Sequence, residues 1–397
     1  MTAVDSSRFV SRAPKLGHYP ALDGLRGISV VMVILAHANY ENFASFAGSV
    51  DVFFVVSGFL ITTLILEEDR KTGRVDTKNF YIRRGLRLLP ALYTVLVFTL
   101  IGGFLVGNDN KYHLWDQTKN DVLCAVLYVY HVVHPVGREV VDGGAPQIRP
   151  LIHLWTLSVE EHFYLIVVAL MMVVIRFKLS RVLIGALMAM WVGIGLARAT
   201  GHVGPLLAWY QRPDSLMLGV VIAMVNARMA TETSERAKQN WTRAVWAAAA
   251  MVMVVTGIGT GFAGSHMIKF SPPEGKQVSD QLLWGQFGFS LVAAGVATMV
   301  LGMFRVRDHK LASILSWKPF QGLGRRSYVI YLVHVPLFWI PLVGLDGVVP
   351  RWTVAVGYLI AMPIVVELIH RYIEQPALKL KSKRAHVGVD LTNVDAG

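Results

Sequence analysis

What most constrains this chain is a series of apolar runs, each of about the length that crosses a lipid bilayer. They fall at 23–41, 50–66, 88–107, 154–175, 182–200, 210–226, 244–263, 282–304, 327–344 and 352–372. A hydrocarbon core about 30 Å thick takes roughly 20 helical residues to cross, and lipid offers unpaired backbone amides no partner, so runs of this kind must be helices packed together. Only 16% of the residues are charged and 54% are hydrophobic, where a soluble domain carries roughly 25% charged. The sequence predicts an all-α integral membrane protein, a bundle of about ten transmembrane helices.

Charge sets the orientation. Most of the 38 Lys and Arg lie in the lead (Arg8, Arg12, Lys15), the loop 70–87, the connections 176–181, 228–243 and 305–326, and the tail 379–384. With the N-terminus inside and ten crossings, all of these fall on the cytoplasmic side, as the bias of basic residues requires. Both termini are then cytoplasmic, and the net charge of +12 needs no nucleic-acid partner. The expected partner is the bilayer itself, that of the plasma membrane. The first run ends Ala36-His37-Ala38, which has the form of a signal-peptide cleavage site. The long polar lead and the many later runs favour an uncleaved first helix. Cys124, the single cysteine, excludes an internal disulfide and a thiolate metal cluster. Within the outer connection 108–153, Val122 to Val133 is too short to cross and reads as re-entrant or interfacial.

Ionisable groups cost roughly 2.5–3.5 kcal/mol at the centre of a membrane helix, so those present tend to face the bundle interior and serve a function. Arg26 and His37 stand eleven residues apart; at ~100° per residue that returns to nearly the same face, about 16 Å further along. An imidazole suits proton transfer from a hydroxyl, which makes His37 the candidate base. A core histidine bonded to a neighbouring helix is the plain alternative. Asp51, opening the second run, is a candidate to orient it, as carboxylates orient imidazoles elsewhere. Arg83, Arg84 and Arg87 gather where the third run meets the basic side. Their guanidinium forks suit phosphate, and topology determination is the simpler role. Glu160 and Glu161 enter the fourth run from the outer side, with Tyr164 on the face of Glu160. Arg212 and Asp214 read as an ion pair opening the sixth run, and His334 as a second imidazole within the membrane. Ser57-Gly58 reads as close packing by small residues. The sequence has no Gly-rich phosphate loop with its Lys, no His-Glu-x-x-His and no Gly-x-Ser-x-Gly, which argues against an ATP-driven pump, a zinc protease and a serine hydrolase.

Seven blocks, in order, resemble the acyltransferase 3 family of multi-spanning membrane acyltransferases. Leu22-Asp-Gly-Leu-Arg-Gly with Arg26-x10-His37 opens the series, followed by Gly48-x-x-Asp51-x-Phe-Phe-x-x-Ser-Gly-Phe. Then come Phe80-x-x-Arg-Arg-x-x-Arg-Leu-x-Pro90, His153-Leu-Trp-x-Leu-Ser-Val-Glu-Glu161 and Arg212-x-Asp214-x-x-x-x-Gly219. Tyr328-x-x-Tyr-Leu-x-His334 and Ile373-Glu-x-Pro376 close it.

The resemblance implies an acyl-CoA co-substrate, with acetyl-CoA the expected species, and no permanently bound cofactor or metal. It implies an acceptor hydroxyl on a sugar, glycolipid or glycosylated small molecule, such as an envelope glycan or a macrolide-like antibiotic. Residues 19–376 become the acyltransferase domain, between a cytoplasmic lead (1–18) and a tail (377–397) expected to be disordered. His37, Asp51 and Glu160 take catalytic roles; Arg26, Arg83, Arg84 and Arg87 hold the donor; Glu161, Arg212, Asp214 and His334 contact the acceptor. His162 stands where the family commonly has Gln, a departure that bears on acceptor contacts. The sequence lacks the SGNH-type hydrolase-like domain fused to some relatives. A transporter using its buried ionisable groups is the alternative from another class, but the sequence shows no two related halves.

Overall fold

The structure, a computed structural model, describes residues 9–38, 43–108, 113–133, 149–200, 214–258, 260 and 284–380. Every regular element among them is helical. In chain order they are α1 (Pro20–Ala38), α2 (Ser49–Thr72, entered through a 3-10 turn), α3 (Thr77–Val106), α4 (Leu114–Val126) and α5 (Tyr130–Val133). Next come α6 (Trp155–Phe177), α7 (Ser180–Ala199), α8 (Asp214–Arg228), α9 (Glu235–Ile258) and α10 (Trp284–Arg305). Last are α11 (Lys310–Leu315), α12 (Lys318–Val333), α13 (Pro336–Gly344) and α14 (Arg351–Ile369), which runs into a π turn, His370–Glu374. Nine of the described helices are long and apolar enough to cross a membrane. The remaining expected span, 210–226, is described only from Asp214, as the 15-residue α8, buried along most of its length.

Three expected elements differ in outline. The third span begins at Thr77 instead of 88 because the Asp76 side chain caps α3, accepting from Asn79 N at 3.0 Å. The resulting 30-residue helix is about 45 Å long, longer than a bilayer core, and Arg83, Arg84 and Arg87 ride on its first turns. The span at 327–344 is broken: Pro336 opens α13, where its missing N–H costs nothing, and His334 falls at the break. The run from Val122 to Val133 is two elements, the end of α4 and α5, parted by a turn in which Tyr128 takes φ 55°. In the tail, residues 377–380 continue the last helix; 381–397 lie outside the described residues.

The chain divides into two compact units, one of Met1–Val75, Leu127–Gly143 and Leu154–Arg325, the other of Asp76–Val126, Gly144–His153 and Arg326–Gly397. In the first, α2 and α8 meet backbone to backbone. A Cβ on Gly58 would lie 2.3 Å from Leu216 O, and one on Gly219 2.4 Å from Val55 O. Phe59, Phe289 and Phe304 fill the core beside them. The lead is ordered from Phe9 as a strap across the ends of several helices. Phe9 N donates to Ile175 O (3.1 Å) and Arg12 N to Ala227 O (2.8 Å), satisfying last-turn carbonyls of α6 and α8 that have no partner within their helices. Arg70 and Thr231 in turn donate to the carbonyls of Ala13 (2.6 Å) and Arg12 (2.9 Å), Arg307 to those of Lys15 and Leu16, and Glu67 accepts from Leu16 N.

In the second unit α3 packs on α4 at Gly103, where a Cβ would meet Thr118 Oγ1 at 2.6 Å. Asp121 of α4 holds the chain leading to the fourth span, accepting from Arg149 Nη1 (2.9 Å) and Leu151 N (3.2 Å). Tyr93, Val97, Phe98, Ile101, Phe104 and Leu105 recur at helical spacing on the exposed face of α3, opposite buried Leu92, Val95, Leu96 and Thr99. An apolar face of that extent is untenable in water and normal against lipid.

Candidate functional site

His37 occupies the last turn of α1. Its Nδ1 lies 2.9 Å from Val33 O. A carbonyl only accepts, so Nδ1 carries the proton and the lone pair sits on Nε2. The residue as a whole is exposed at the end of the helix. Arg26, nearer the start of the helix, is half-buried with its guanidinium 6.0 Å from the Phe53 ring centroid of α2, a cation–π approach. The helix that brings these two groups into register begins against α11 and α12. A Cβ on Gly24 would sit 1.7 Å from Leu315 O, one on Gly27 2.2 Å from Phe320 O, and one on Gly324 1.8 Å from Asp23 O. The glycines of Leu22-Asp-Gly-Leu-Arg-Gly therefore let α1 lie flush on its neighbours.

A polar cluster lies among α2, α6, α7, α8 and α10. Glu160 of α6 receives Ser57 Oγ at 3.4 Å and Tyr164 OH at 3.3 Å, so the shared face of Glu160 and Tyr164 is present and Ser57 joins it from α2. Asp51 is fully buried and accepts from Ser215 Oγ at 2.5 Å. Next in sequence, Asp214 Oδ2 accepts from Arg198 Nη1 and Nη2, both at 3.2 Å, while Nη1 also donates to Ser290 Oγ at 2.8 Å. Arg198 and Asp214 are each 1% exposed. Arg212 lies outside the described residues; the described partner of Asp214 is Arg198 of α7. Glu161 and His162 follow half-buried, and the His162 ring stands edge-on to that of His131 of α5, centroids 4.9 Å apart. Burial and the neighbouring His162 push His131 down to about 4, which keeps it neutral at physiological pH.

Arg83, Arg84, Arg87 and His334 belong to the second unit. His334 is buried, with Nδ1 2.7 Å from Tyr331 O. It packs edge-on against His153, centroids 4.8 Å apart, and Tyr331 OH donates to the His153 carbonyl. The three arginines are half-buried along α3, and Tyr328 OH donates to Leu88 O one residue beyond them (2.9 Å). Among the described residues no three or more His, Cys, Asp or Glu side chains stand together as metal ligands. Sequence reasoning missed Arg198, Ser215 and Ser290 as site residues. Arg198 carried a signal, since a guanidinium in an apolar run needs a buried partner; the two serines carried none, because hydroxyls are common in membrane helices.

Fold and site together define a polytopic integral membrane protein whose helices carry an imidazole protonated on Nδ1 and enclose buried carboxylates and a buried guanidinium. The acyltransferase-domain family model matches residues 19–370, and the chain belongs to the acyltransferase 3 family, as the seven blocks indicated. It is similar to O-acetyltransferase OatA of Staphylococcus aureus strain NCTC 8325 / PS 47, 30% identical over 376 residues that cover 91% of this chain and 57% of that protein. It is also similar to a protein of S. aureus strain COL provisionally named O-acetyltransferase SACOL0978, 26% identical over 385 residues, 95% of this chain and 60% of that one. The chain thus spans about three-fifths of the length of these curated relatives. No solved structure matches it.

Proposed function

We propose that this chain is a membrane O-acyltransferase that moves an acetyl or other short acyl group from acyl-CoA to a hydroxyl of a sugar, glycolipid or glycosylated small molecule. Membership of the acyltransferase 3 family supports this reading over that of a transporter. The observation that carries it is the Nδ1–Val33 O bond, which puts the proton on Nδ1 and the basic lone pair on Nε2. Nε2 of His37 takes the proton of the acceptor hydroxyl, the oxygen attacks the thioester carbonyl, and CoA leaves as the thiolate. The imidazolium then returns its proton to the thiolate sulfur. Asp51 and Glu160 support the electrostatics of this step. Arg26, Arg83, Arg84 and Arg87 hold donor phosphates, a role to which guanidinium forks are suited. Glu161, Arg212, Asp214 and His334 shape the acceptor side.

The reading includes ten crossings, both termini in the cytoplasm and residence in the plasma membrane. The distribution of basic residues supports the sidedness. The test is mass spectrometry of envelope glycans and secreted small molecules from cells with the gene, without it, and with His37→Ala at equal membrane abundance. The expected result is one acyl increment present only with the unaltered gene. General-base catalysis is worth roughly 10²–10⁴ in rate, so the increment falls at least about 100-fold in the variant. Full acylation by His37→Ala overturns the assigned role.

A further inference from the structure

The connection from Arg305 to Arg326 is strongly basic, with six Lys or Arg against the single acid Asp308. Three of its cations are engaged by the chain itself, Arg326 by Glu367 at 2.7 Å. Arg305 donates to Ala230 O, and Arg307 binds the lead while its guanidinium covers the Phe304 ring at 4.8 Å. Lys310, the first residue of α11, and Lys318, the first of α12, remain exposed. Between them the side chains sort into two kinds. Ala312 and Leu315 are buried, and Leu315 meets α1 at Gly24. Ile314 and Trp317 point away, 54% and 59% exposed, and Trp317 stands edge-on to Phe320, ring centroids 5.0 Å apart. A surface hollow opens here, lined by Ser313, Ile314, Ser316, Trp317, Lys318 and Phe320. His309 fixes the turn into α11, its Nδ1 accepting from Leu311 N at 3.0 Å.

This element lies between the end of α10 and the start of α12, so it sits where two membrane spans reach the membrane surface. Exposed Ile and Trp beside exposed Lys at that level is the composition of an interfacial element: apolar groups toward the acyl chains, cations toward the headgroups. We infer that the α11 hollow is a binding site for an anionic phospholipid of the cytoplasmic leaflet. Lys310 and Lys318 receive the anionic headgroup, and Ile314, Trp317 and Phe320 hold the proximal acyl chain. Basic hollows of this kind, on the cytoplasmic side between spans, match such headgroups in charge. The choice of leaflet rests on the proposed sidedness, but no residue lining the hollow is assigned to acyl transfer, so loss of lipid preference and loss of transfer are distinguishable.

The test is native mass spectrometry of the purified full chain, titrated with phosphatidylglycerol and with phosphatidylcholine. The expected result is a preference for phosphatidylglycerol that falls about fivefold for Lys318→Gln and about 25-fold for Lys310→Gln with Lys318→Gln, at about 1 kcal/mol per cation near the surface. Trp317→Ala, with both lysines kept, is expected to weaken both lipids. Equal melting temperatures in phosphatidylcholine nanodiscs show that the variants are folded. Equal binding of the two lipids by the unaltered chain, or an unchanged preference in the double variant, overturns the proposal. Palmitoyl-CoA displacing phosphatidylglycerol from this hollow at equal concentration also overturns it, assigning the hollow to a nucleotide-bearing ligand instead.

Discussion

Arg198 and Asp214 bind each other where water does not reach, and that geometry separates two roles a buried pair can have. Removing one member of a buried ion pair strands the other and costs roughly 3–5 kcal/mol, while replacing both with apolar residues of similar volume is often neutral or better. Asp214→Asn is therefore expected to lower the melting temperature of the extracted protein sharply, since Arg198 loses the charge it meets at 3.2 Å. Arg198→Met with Asp214→Leu is expected to restore folded yield. The double variant then reports function. If Asp214 contacts the acceptor, the protein is folded and inactive; if the pair only joins α7 to α8, acylation returns with the fold. Failure of the double variant to recover folded protein would show that the pair supports more of the surrounding cluster than its own charge balance.

At the scale of elements, the close contacts are glycine contacts, and they explain what the sequence made legible. Ser57-Gly58 was readable as a small-residue seam because Gly in an apolar run has few other uses, and the 2.3 Å approach to Leu216 O bears this out. The register of Arg26 with His37 was readable because helical periodicity is a local property. Gly24, Gly27 and Gly324 were not readable as one seam, because their partners lie across some 300 residues of chain and only tertiary packing joins them. The same holds for the strap, whose bonds come from backbone N–H and C=O groups that every sequence has. Its basic side chains suggested sidedness, not docking. Gly24→Ala tests the seam. Its Cβ would meet a carbonyl oxygen at 1.7 Å, and backbone cannot rotate away as a side chain can. Overpacking of this kind costs at least about 1–3 kcal/mol. The variant is expected to melt earlier and lose transfer as α1, carrying Arg26 and His37, is displaced. Gly185→Ala is the matched control: nothing lies within 4 Å of its Cβ position, and Ala there is expected to leave the melting temperature unchanged or raise it.

For the whole molecule, the strap turns sidedness into a question of parity. Its residues bond to Ile175 at the end of α6, to Ala227 at the end of α8 and to Thr231 just beyond, so those places share one end of their unit with the lead. From that end α7 departs at Ser180 and runs for 20 residues, about 30 Å. The described α8 ends back at the lead, where Ala227 O receives Arg12 N. In the ten-span reading proposed above, the run 210–226 supplies the tenth crossing and both termini share one side. Labelling of single cysteines by a membrane-impermeant maleimide decides it, in a Cys124→Ser background. Glu232 and Val348 are both exposed, the first beyond α8 and the second between α13 and α14. Glu232→Cys is expected to label only after the membrane is opened, and Val348→Cys in intact cells. Labelling of Glu232→Cys in intact cells would put the strap, the α6 end and the basic connections outside. The donor arginines would then be on the wrong side for cytosolic acyl-CoA, and the proposed direction of transfer would fall with them.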